Sequence, residues 1–176
     1  MIKNFGFIFI GALTICAVLA PWILPYNPHD LNLPLGLQEP GWPHLFGLDE
    51  NGQDLFVKIL HGARLSLTVT GVVVFISVCV GLLMGTLAGL FGGWVDQLIA
   101  GMIDMALAFP KFLLALALLA MMGPSTGNLI LALSFSTWAG FARLVRGEVR
   151  KIKKQEFVLS ARASGGRGFF LIRKHI

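Results

Sequence analysis

Ionisable residues inside an apolar stretch are the first candidates for chemistry in this chain. Asp104 and Lys111 interrupt the otherwise apolar residues 97–121, and Pro110 directly precedes the lysine. A charged side chain at the centre of a membrane costs about 2.5–3.5 kcal/mol on insertion scales, so such residues either line a hydrated pathway or snorkel to the surface. We predict Asp104, Pro110 and Lys111 as possible pathway residues, with snorkelling of Lys111 as the alternative. Because proline lacks a backbone N–H, Pro110 also predicts a kink.

The basic segment at residues 143–176 is the second candidate, since it holds ten of the fourteen Lys and Arg residues. Its stretch RLVRGEVRKIKKQEFVLSARA has a helical pattern that Gly165 and Gly166 should end, and FFLIRKHI follows. A helix, a glycine break and a second helix can dock into a groove on a soluble partner. An ordinary solvated positive loop beside a membrane is the alternative.

Catalytic and metal-binding patterns are absent from the sequence. The histidines His29, His44, His61 and His175 are scattered, and no HExxH, GxSxG or phosphate-binding GxxxxGK[ST] pattern occurs. The two cysteines, Cys16 and Cys79, lie in apolar runs without metal-type spacing. We therefore predict a protein that is not an enzyme and that holds no cofactor or metal.

The composition indicates a membrane protein. The chain is 56% hydrophobic and 13% charged, whereas soluble domains carry roughly 25% charged residues. The net charge of +5 does not indicate nucleic-acid binding, because the positive charge is confined to one flank. Short positive segments stay on the cytoplasmic side, so both ends of this chain are predicted to be cytoplasmic in a multi-pass membrane protein.

The hydrophobic pattern predicts an all-α bundle with about four spans. Each span needs about 20 mostly apolar residues. The predicted spans are about Phe5–Leu24, Ser66–Leu90, Gln97–Met121 and Leu129–Leu144. The first is read as a retained anchor and not as a cleaved signal peptide, because Pro21 would directly follow the cleavage site.

The same pattern divides the chain into four regions. Residues 1–24 form the anchor, and residues 25–64 form an external loop that is rich in proline and acidic residues. The loop ends in DLFVKILHGARLSL, which is predicted to be a short amphipathic helix on the outer interface. Residues 65–146 form a core of three spans, and residues 147–176 form an incomplete cytoplasmic loop.

A stripe of small residues marks the second span as a packing surface. Ser77, Gly81, Gly85 and Gly89 recur every four residues, so they share one helix face. Small residues at this spacing let another helix backbone approach closely in a membrane. We predict that this stripe packs against another helix of the chain or against a partner subunit.

The tail EFVLSARASGGRGFFLIRKHI resembles the EAA loop of ABC importer permeases, in the version found in dipeptide, oligopeptide and nickel permeases. The EAA core falls on residues 159–161 and the loop glycine on Gly165. Four further blocks match in family order: HLFGLDENGQDLFVKILHGARLSL, GLFGGWVDQ, DMALAFPKFLLALAL and WAGFARLVRGEV. The GLDENGQD block is typical of the second, C-type permease of the pair.

The resemblance implies a multi-pass permease of a type I ABC importer in a bacterial inner membrane, for peptides or a related solute such as nickel. The implied partners are a second permease, ABC ATPase subunits that hydrolyse ATP, an external solute-binding protein and the lipid bilayer. The ATPase-coupling residues implied by the resemblance are Glu156, Leu159, Ser160, Ala161, Arg162, Ala163 and Gly165.

Two departures from the family pattern accompany this resemblance. Leu159 and Ser160 replace the glutamate and the first alanine of the EAA core. The chain also stops at Ile176, where the family continues with two more spans, so a C-terminal truncation is expected. Alternative functions are a non-transporting membrane fragment or a small scaffold, a secondary transporter, and a membrane enzyme; the last two lack the repeats or paired catalytic groups that they would need.

Overall fold

The computed structural model describes residues 31–158 and, before them, Gly6, Gly11, residues 14–16 and Leu19. The residues described in this earlier part are helical, and the rest of the predicted first span lies outside the described residues. The chain divides into two compact units, residues 1–70 and 71–176. Apart from a single β-bridge between Leu48 and Asp54, the regular structure of the described residues is helical.

The described loop of the first unit leads into a long helix that Asp54 caps. It begins with a 3₁₀ turn at Leu33–Leu35 and continues to Asp54. Asp54 Oδ1 accepts hydrogen bonds from the backbone N–H groups of Phe56 and Val57, so this residue caps the helix that follows. The rings of Phe46 and Phe56 meet edge to face with centroids 5.3 Å apart.

Helix α1 spans Leu55–Phe91 and contains 37 residues. The sequence predicted a separate interfacial helix before a span at about Ser66–Leu90, and the structure corrects this because both segments form one continuous helix. The residues directly before the predicted span, HGARL, contain no proline, and a single glycine is tolerated inside a helix. At 1.5 Å per residue, α1 is longer than the ~30 Å hydrocarbon core of a bilayer.

Helices α2 and α3 span Gly93–Ala108 and Lys111–Met122. They occupy the predicted third span but are bent by 87° at the break between them. Phe109 is extended, with φ −95° and ψ 142°, as expected for the residue before a proline. The pair is therefore one broken span or a re-entrant segment.

Helix α4 spans Thr126–Lys153. Ser125 begins it as an N-cap, because its side chain accepts a hydrogen bond from the backbone N–H of Asn128 at 3.1 Å. The helix extends well beyond the predicted span at about Leu129–Leu144. It ends at Lys153, earlier than the predicted glycine stop at Gly165, and residues 156–158 are helical again.

The core of the second unit lies where α1, α2 and α4 meet. Its buried residues are Ala88 from α1, Ile99 and Ile103 from α2, and Trp138, Ala139 and Ala142 from α4. Many large apolar side chains point outward, including Phe75, Met105 and Phe112. A surface this apolar is unfavourable in water and suits lipid. Within the described residues, α1 and α4 are each long and apolar enough to cross a membrane, and the bent pair α2–α3 would make a third span.

Candidate functional site

The small-residue stripe of α1 lies directly against α4. A Cβ atom built on Gly81 would lie 2.5 Å from Phe141 Cβ, and one on Gly85 would lie 2.6 Å from the carbonyl oxygen of Ala142. A Cβ on Gly89 would lie 2.7 Å from Val149 Cβ. Real Cβ atoms do not come this close to their neighbours, so the contact between the two helices depends on glycine.

Ser77 continues this contact toward the start of α4. Its side chain is fully buried and its hydroxyl donates to the carbonyl oxygen of Ser134 at 3.4 Å. The hydroxyl of Ser134 is itself buried and has no hydrogen-bond partner among the residues that the structure describes. It borders an apolar groove whose other walls include Val80, Met102 and Phe135. The stripe thus forms a polar contact at one end and glycine contacts along the rest.

The turn between α1 and α2 consists of two glycines in the left-handed region. Gly92 has φ +65° and Gly93 has φ +55°, values that L side chains rarely adopt. The carbonyl oxygens of Gly89 and Leu90, just before this turn, accept hydrogen bonds from Lys153 Nζ at 3.0 and 2.6 Å. A cation at a helix C-terminus satisfies carbonyls that have no partner within the helix and also opposes the negative end of the helix dipole.

Asp96, in the first turn of α2, is the centre of an ion cluster with α4. Arg146 donates to it twice, from Nε to Oδ1 at 2.6 Å and from Nη2 to Oδ2 at 3.1 Å, and Arg150 also donates to Oδ2. The Asp96 side chain is only 8% exposed. We name Asp96, Arg146 and Arg150 the Asp96 cluster. Bidentate pairing fixes the guanidinium plane of Arg146 relative to the carboxylate.

A second ion pair between the same two helices lies nearer the break. Arg143 Nη2 donates to Asp104 Oδ1 at 2.5 Å, and these side chains are 56% and 69% exposed. Asp104 is one of the predicted pathway residues, and in the structure it pairs with an arginine of α4. Because both groups are exposed, water reaches this pair far more easily than it reaches the Asp96 cluster.

Lys111 is the first residue of α3 and is exposed. Its Nζ lies 3.6 Å from the position that a Cβ on Gly140 would occupy, so the ammonium group lies over α4 at this glycine. No hydrogen bond or ion pair joins the Lys111 side chain to any other residue within the described part of the chain. Gly140 and Arg143 share a face of α4, so Asp104 of α2 and Lys111 of α3 lie beside one region of α4, and Pro110 lies in the break between the two helices.

The GLDENGQD block forms a compact polar loop in the first unit. Asp49 Oδ1 accepts from the backbone N–H groups of Asn51 and Gln53, each at 2.9 Å, and Asp49 Oδ2 accepts from Lys58 Nζ at 2.6 Å. The hydrogen bond from Lys58, followed by that from Gln53, holds the pKa of Asp49 below its usual value. His44 Nδ1 lies 2.8 Å from Asp54 Oδ2. This block organises the start of α1.

Of the predicted coupling residues, only Glu156 lies within the described residues, where it is exposed just beyond the end of α4. Leu159, Ser160, Ala161, Arg162, Ala163 and Gly165 lie outside them. Among the described residues, no group of three or more His, Cys, Asp or Glu side chains could hold a metal ion.

Sequence reasoning missed Asp96, which lies between the glycine turn and the start of the predicted third span. One signal could have indicated it. Arg146, Arg150 and Lys153 have the spacing i, i+4 and i+7, so they share one face of a helix. Three cations on one face near a membrane boundary call for an acidic or carbonyl partner, but nothing local identifies that partner 50 residues earlier.

Two family descriptions match parts of this chain. Residues 81–176 match the family described as the inner membrane component of binding-protein-dependent transport systems. Residues 5–40 match the N-terminal transmembrane domain of oligopeptide transport permease C.

Three curated relatives illustrate the likeness. The chain is 38% identical to the dipeptide transport system permease protein DppC of Alkalihalophilus pseudofirmus, over 97% of the chain and 56% of the relative. It is 36% identical to the nickel transport system permease protein NikC of Escherichia coli, over 90% and 57%. It is 39% identical to the glutathione transport system permease protein GsiD of Escherichia coli, over 96% and 56%.

The chain spans about half the length of the curated relatives it matches. The family match begins at Gly81 and covers the packed part of α1, the two glycines of the turn, the broken pair α2–α3 and all of α4. The chain therefore belongs to the family of inner membrane components of binding-protein-dependent transport systems.

Proposed function

We propose that this chain acts as a permease subunit of an ATP-driven importer for peptides or a related solute. The observation that carries the proposal is the family match over residues 81–176. The relatives are named for dipeptide, nickel and glutathione transport, so small peptides and nickel are the solutes to examine first. ATP would be hydrolysed by partner ATPases and not by this chain.

The coupling segment in this proposal is Glu156–Gly165, which would insert into a cleft of the ATPase. Support comes from α4, which runs without interruption from Thr126 to Lys153, so the segment directly follows a helix that is packed against α1 and α2. Glu156 is exposed at this point and could contact a partner. The other expected partners are a second permease subunit and an external solute-binding protein.

The orientation in this proposal has both chain ends in the cytoplasm and residues 25–64 outside. The clustering of basic residues at the end of α4 supports it. Single cysteines at Asn32 and Lys154, in a background with Cys16→Ser and Cys79→Ser, would be treated with an impermeant thiol reagent on intact cells. We expect labelling at residue 32 only. Labelling at residue 154 would contradict this orientation.

We also propose that Asp104, Pro110 and Lys111 border a hydrated pathway. The exposed Asp104–Arg143 pair and the ammonium group over Gly140 support this, because water lowers the cost of charges at membrane depth. In the same cysteine-free background, Lys111→Cys should react with a water-soluble maleimide far faster than Phe112→Cys, its exposed apolar neighbour. Equal, slow labelling of both would favour snorkelling of Lys111.

The central experiment isolates a tagged copy of the chain from membranes of its source organism in mild detergent. We expect an ABC ATPase and a second permease to co-purify, and uptake of labelled dialanine, glutathione or Ni²⁺ to fall when the gene is deleted. Ala161→Arg, which places a large cation in the coupling segment, should still insert in the membrane but lose the ATPase. Isolation without any ATPase, together with unchanged uptake after deletion, would overturn the proposal.

A further inference from the structure

Arg146 is held at both its backbone and its side chain. Its backbone N–H lies against α1, because a Cβ on Gly85 would approach the Arg146 nitrogen to 3.0 Å and a Cβ on Gly89 would approach the Arg146 oxygen to 3.3 Å. Its guanidinium group binds Asp96 of α2 through two hydrogen bonds. One residue of α4 thus contacts the helices on both sides of the Gly92–Gly93 turn.

Two further cations extend this attachment along α4. Arg150, one turn later, donates to Oδ2 of Asp96. Lys153 donates to the carbonyl oxygens of Gly89 and Leu90 near the end of α1. The three cations therefore bind on both sides of the Gly92–Gly93 turn, Arg146 and Arg150 at Asp96 in α2 and Lys153 at the end of α1. They end at Lys153, which is the last residue of α4 before the segment that leads to Glu156.

We propose that Asp96 is a positioning residue that fixes the C-terminal end of α4 to the α1–α2 turn, so that a displacement of the segment after Lys153 moves α1, α2 and α4 together. This inference rests on the proposed function, since the displacement would come from a partner ATPase. Asp96 acts through Arg146 and Arg150 and is not itself a contact for solute or ATP.

The geometry supports this role over that of a simple surface ion pair. A carboxylate that is 8% exposed accepts three guanidinium hydrogen bonds, and two of them come from one arginine in a fixed plane. Such a pair resists rotation of α4 about its own axis as well as separation of the helices. Without it, the ion pair left between α2 and α4 among the described residues would be the exposed one of Arg143 with Asp104.

The first test measures the distance between α2 and the end of α4 in this chain alone, reconstituted in lipid nanodiscs. Spin labels at Met105→Cys and Lys154→Cys, in the Cys16→Ser, Cys79→Ser background, lie at exposed positions on the order of 20 Å apart by helix rise. We expect a narrow distance distribution in the parent and a distribution at least twice as wide with Asp96→Asn.

Two further variants keep this test decisive. Glu148→Gln removes a carboxylate from the exposed face of α4, where its contact with Lys151 is 4.0 Å long, and should leave the distribution unchanged. Arg150→Gln leaves both bonds from Arg146 in place and should give an intermediate width, even if Asp96→Asn fails to insert. Parent-like widths in both Asp96→Asn and Arg150→Gln would overturn the inference.

The second test measures solute uptake per ATP hydrolysed in the complete transporter. Asp96→Asn should keep the ATPase bound and hydrolysing while uptake per ATP falls several-fold, and Glu148→Gln should match the parent. A purely structural role predicts less complex with an unchanged ratio, and that result would overturn the positioning role. If the parent itself shows no ATP-linked uptake while the distances respond to Asp96→Asn, the proposed function fails and the attachment of α4 stands without a role in coupling.

Discussion

Helix α4 is contacted in two very different ways along its length. At its turn end, defined here as the contacts with Gly85, Gly89 and Asp96, the helices touch backbone to backbone and the carboxylate is buried. At its break end, defined as the contacts with Asp104 and Lys111, the charged groups are exposed and the glycine of α4 is only lightly covered. Both ends use the same residue types, so the difference lies in burial and distance.

The difference indicates a division of work within one helix bundle. A tight, buried contact transmits force because it cannot deform without clashes or unpaired charges. An exposed contact beside a bent helix pair can rearrange at little cost, because exposed ion pairs contribute only about 0–1 kcal/mol. We infer that the turn end carries mechanical coupling and that the break end is where the bundle can change shape.

The largest expected difference between the two ends comes from adding one methyl group to a glycine contact at each end. Gly85→Ala would force its Cβ against the Ala142 oxygen at 2.6 Å and Val145 Cβ at 2.8 Å, so α1 and α4 must separate. Overpacking of this kind typically costs about 1–3 kcal/mol. Gly140→Ala meets only the flexible end of Lys111 at 3.6 Å and should be neutral, or stabilise α4 by up to about 1 kcal/mol through helix propensity.

Unfolding of both variants in mixed detergent micelles, followed by circular dichroism, would measure this contrast. We expect the Gly85→Ala transition at clearly lower denaturing detergent than that of the parent, and the Gly140→Ala transition at the same or higher detergent. Equal stabilities would mean that the two ends of α4 do not differ in packing.

Much of this arrangement could be predicted from the sequence, and the reasons are local. The glycine spacing lies within α1, and Pro110 affects only its own stretch of backbone. Both features are therefore visible from periodicity and backbone chemistry. The helix break at Phe109–Pro110 follows directly from this chemistry. The sequence did not predict that the interfacial segment and the second span form one helix, α1. An amphipathic pattern followed by an apolar pattern suggests two elements, but no residue between them ends the helix.

The Asp96 cluster could not be predicted in the same way. Its partners, Arg146 and Arg150, lie at a sequence separation of 50 and 54 residues, and only the packing of α2 on α4 brings them together. The same holds for Lys153 and the carbonyls of Gly89 and Leu90. Sequence patterns indicated which faces pack, but they carried no information on which faces meet.

The next smaller difference in stability between the two ends is expected when one arginine at each end is replaced by lysine. Arg146→Lys keeps the charge but cannot make two parallel bonds to Asp96, and the loss of one charged hydrogen bond in a largely buried site should cost about 1.5–3 kcal/mol. Arg143→Lys should cost less than about 1 kcal/mol, because its pair with Asp104 is exposed. The same micelle unfolding assay measures both, and a larger loss for Arg143→Lys would reverse the assignment of the two ends.

The smallest effect is expected at a third carboxylate, Asp49, which lies outside the membrane helices. Its side chain is partly buried and accepts hydrogen bonds from several donors. Lys58 and two backbone N–H groups favour its charged form, so its pKa is lowered. A lowered carboxyl pKa stabilises the folded loop above the unfolded pKa, and this contribution is lost as pH falls through the folded value. The loop around Asn51 and Gln53 should therefore loosen only at pH values below about 4.

Amide hydrogen exchange at Asn51 and Gln53, corrected for the intrinsic dependence of exchange on pH, would measure this loosening. Protection should be constant from neutral pH to about pH 4 and should fall below it, because protonation removes the acceptor charge that both N–H groups use. Asp49→Asn should show weak protection at every pH, with no step, since its amide cannot gain a proton in this range. A step of equal size in the Asp49→Asn variant would assign the loosening to another acid of the loop. Asp49 would then no longer support the contrast between a carboxylate that accepts several hydrogen bonds and the exposed Asp104–Arg143 pair.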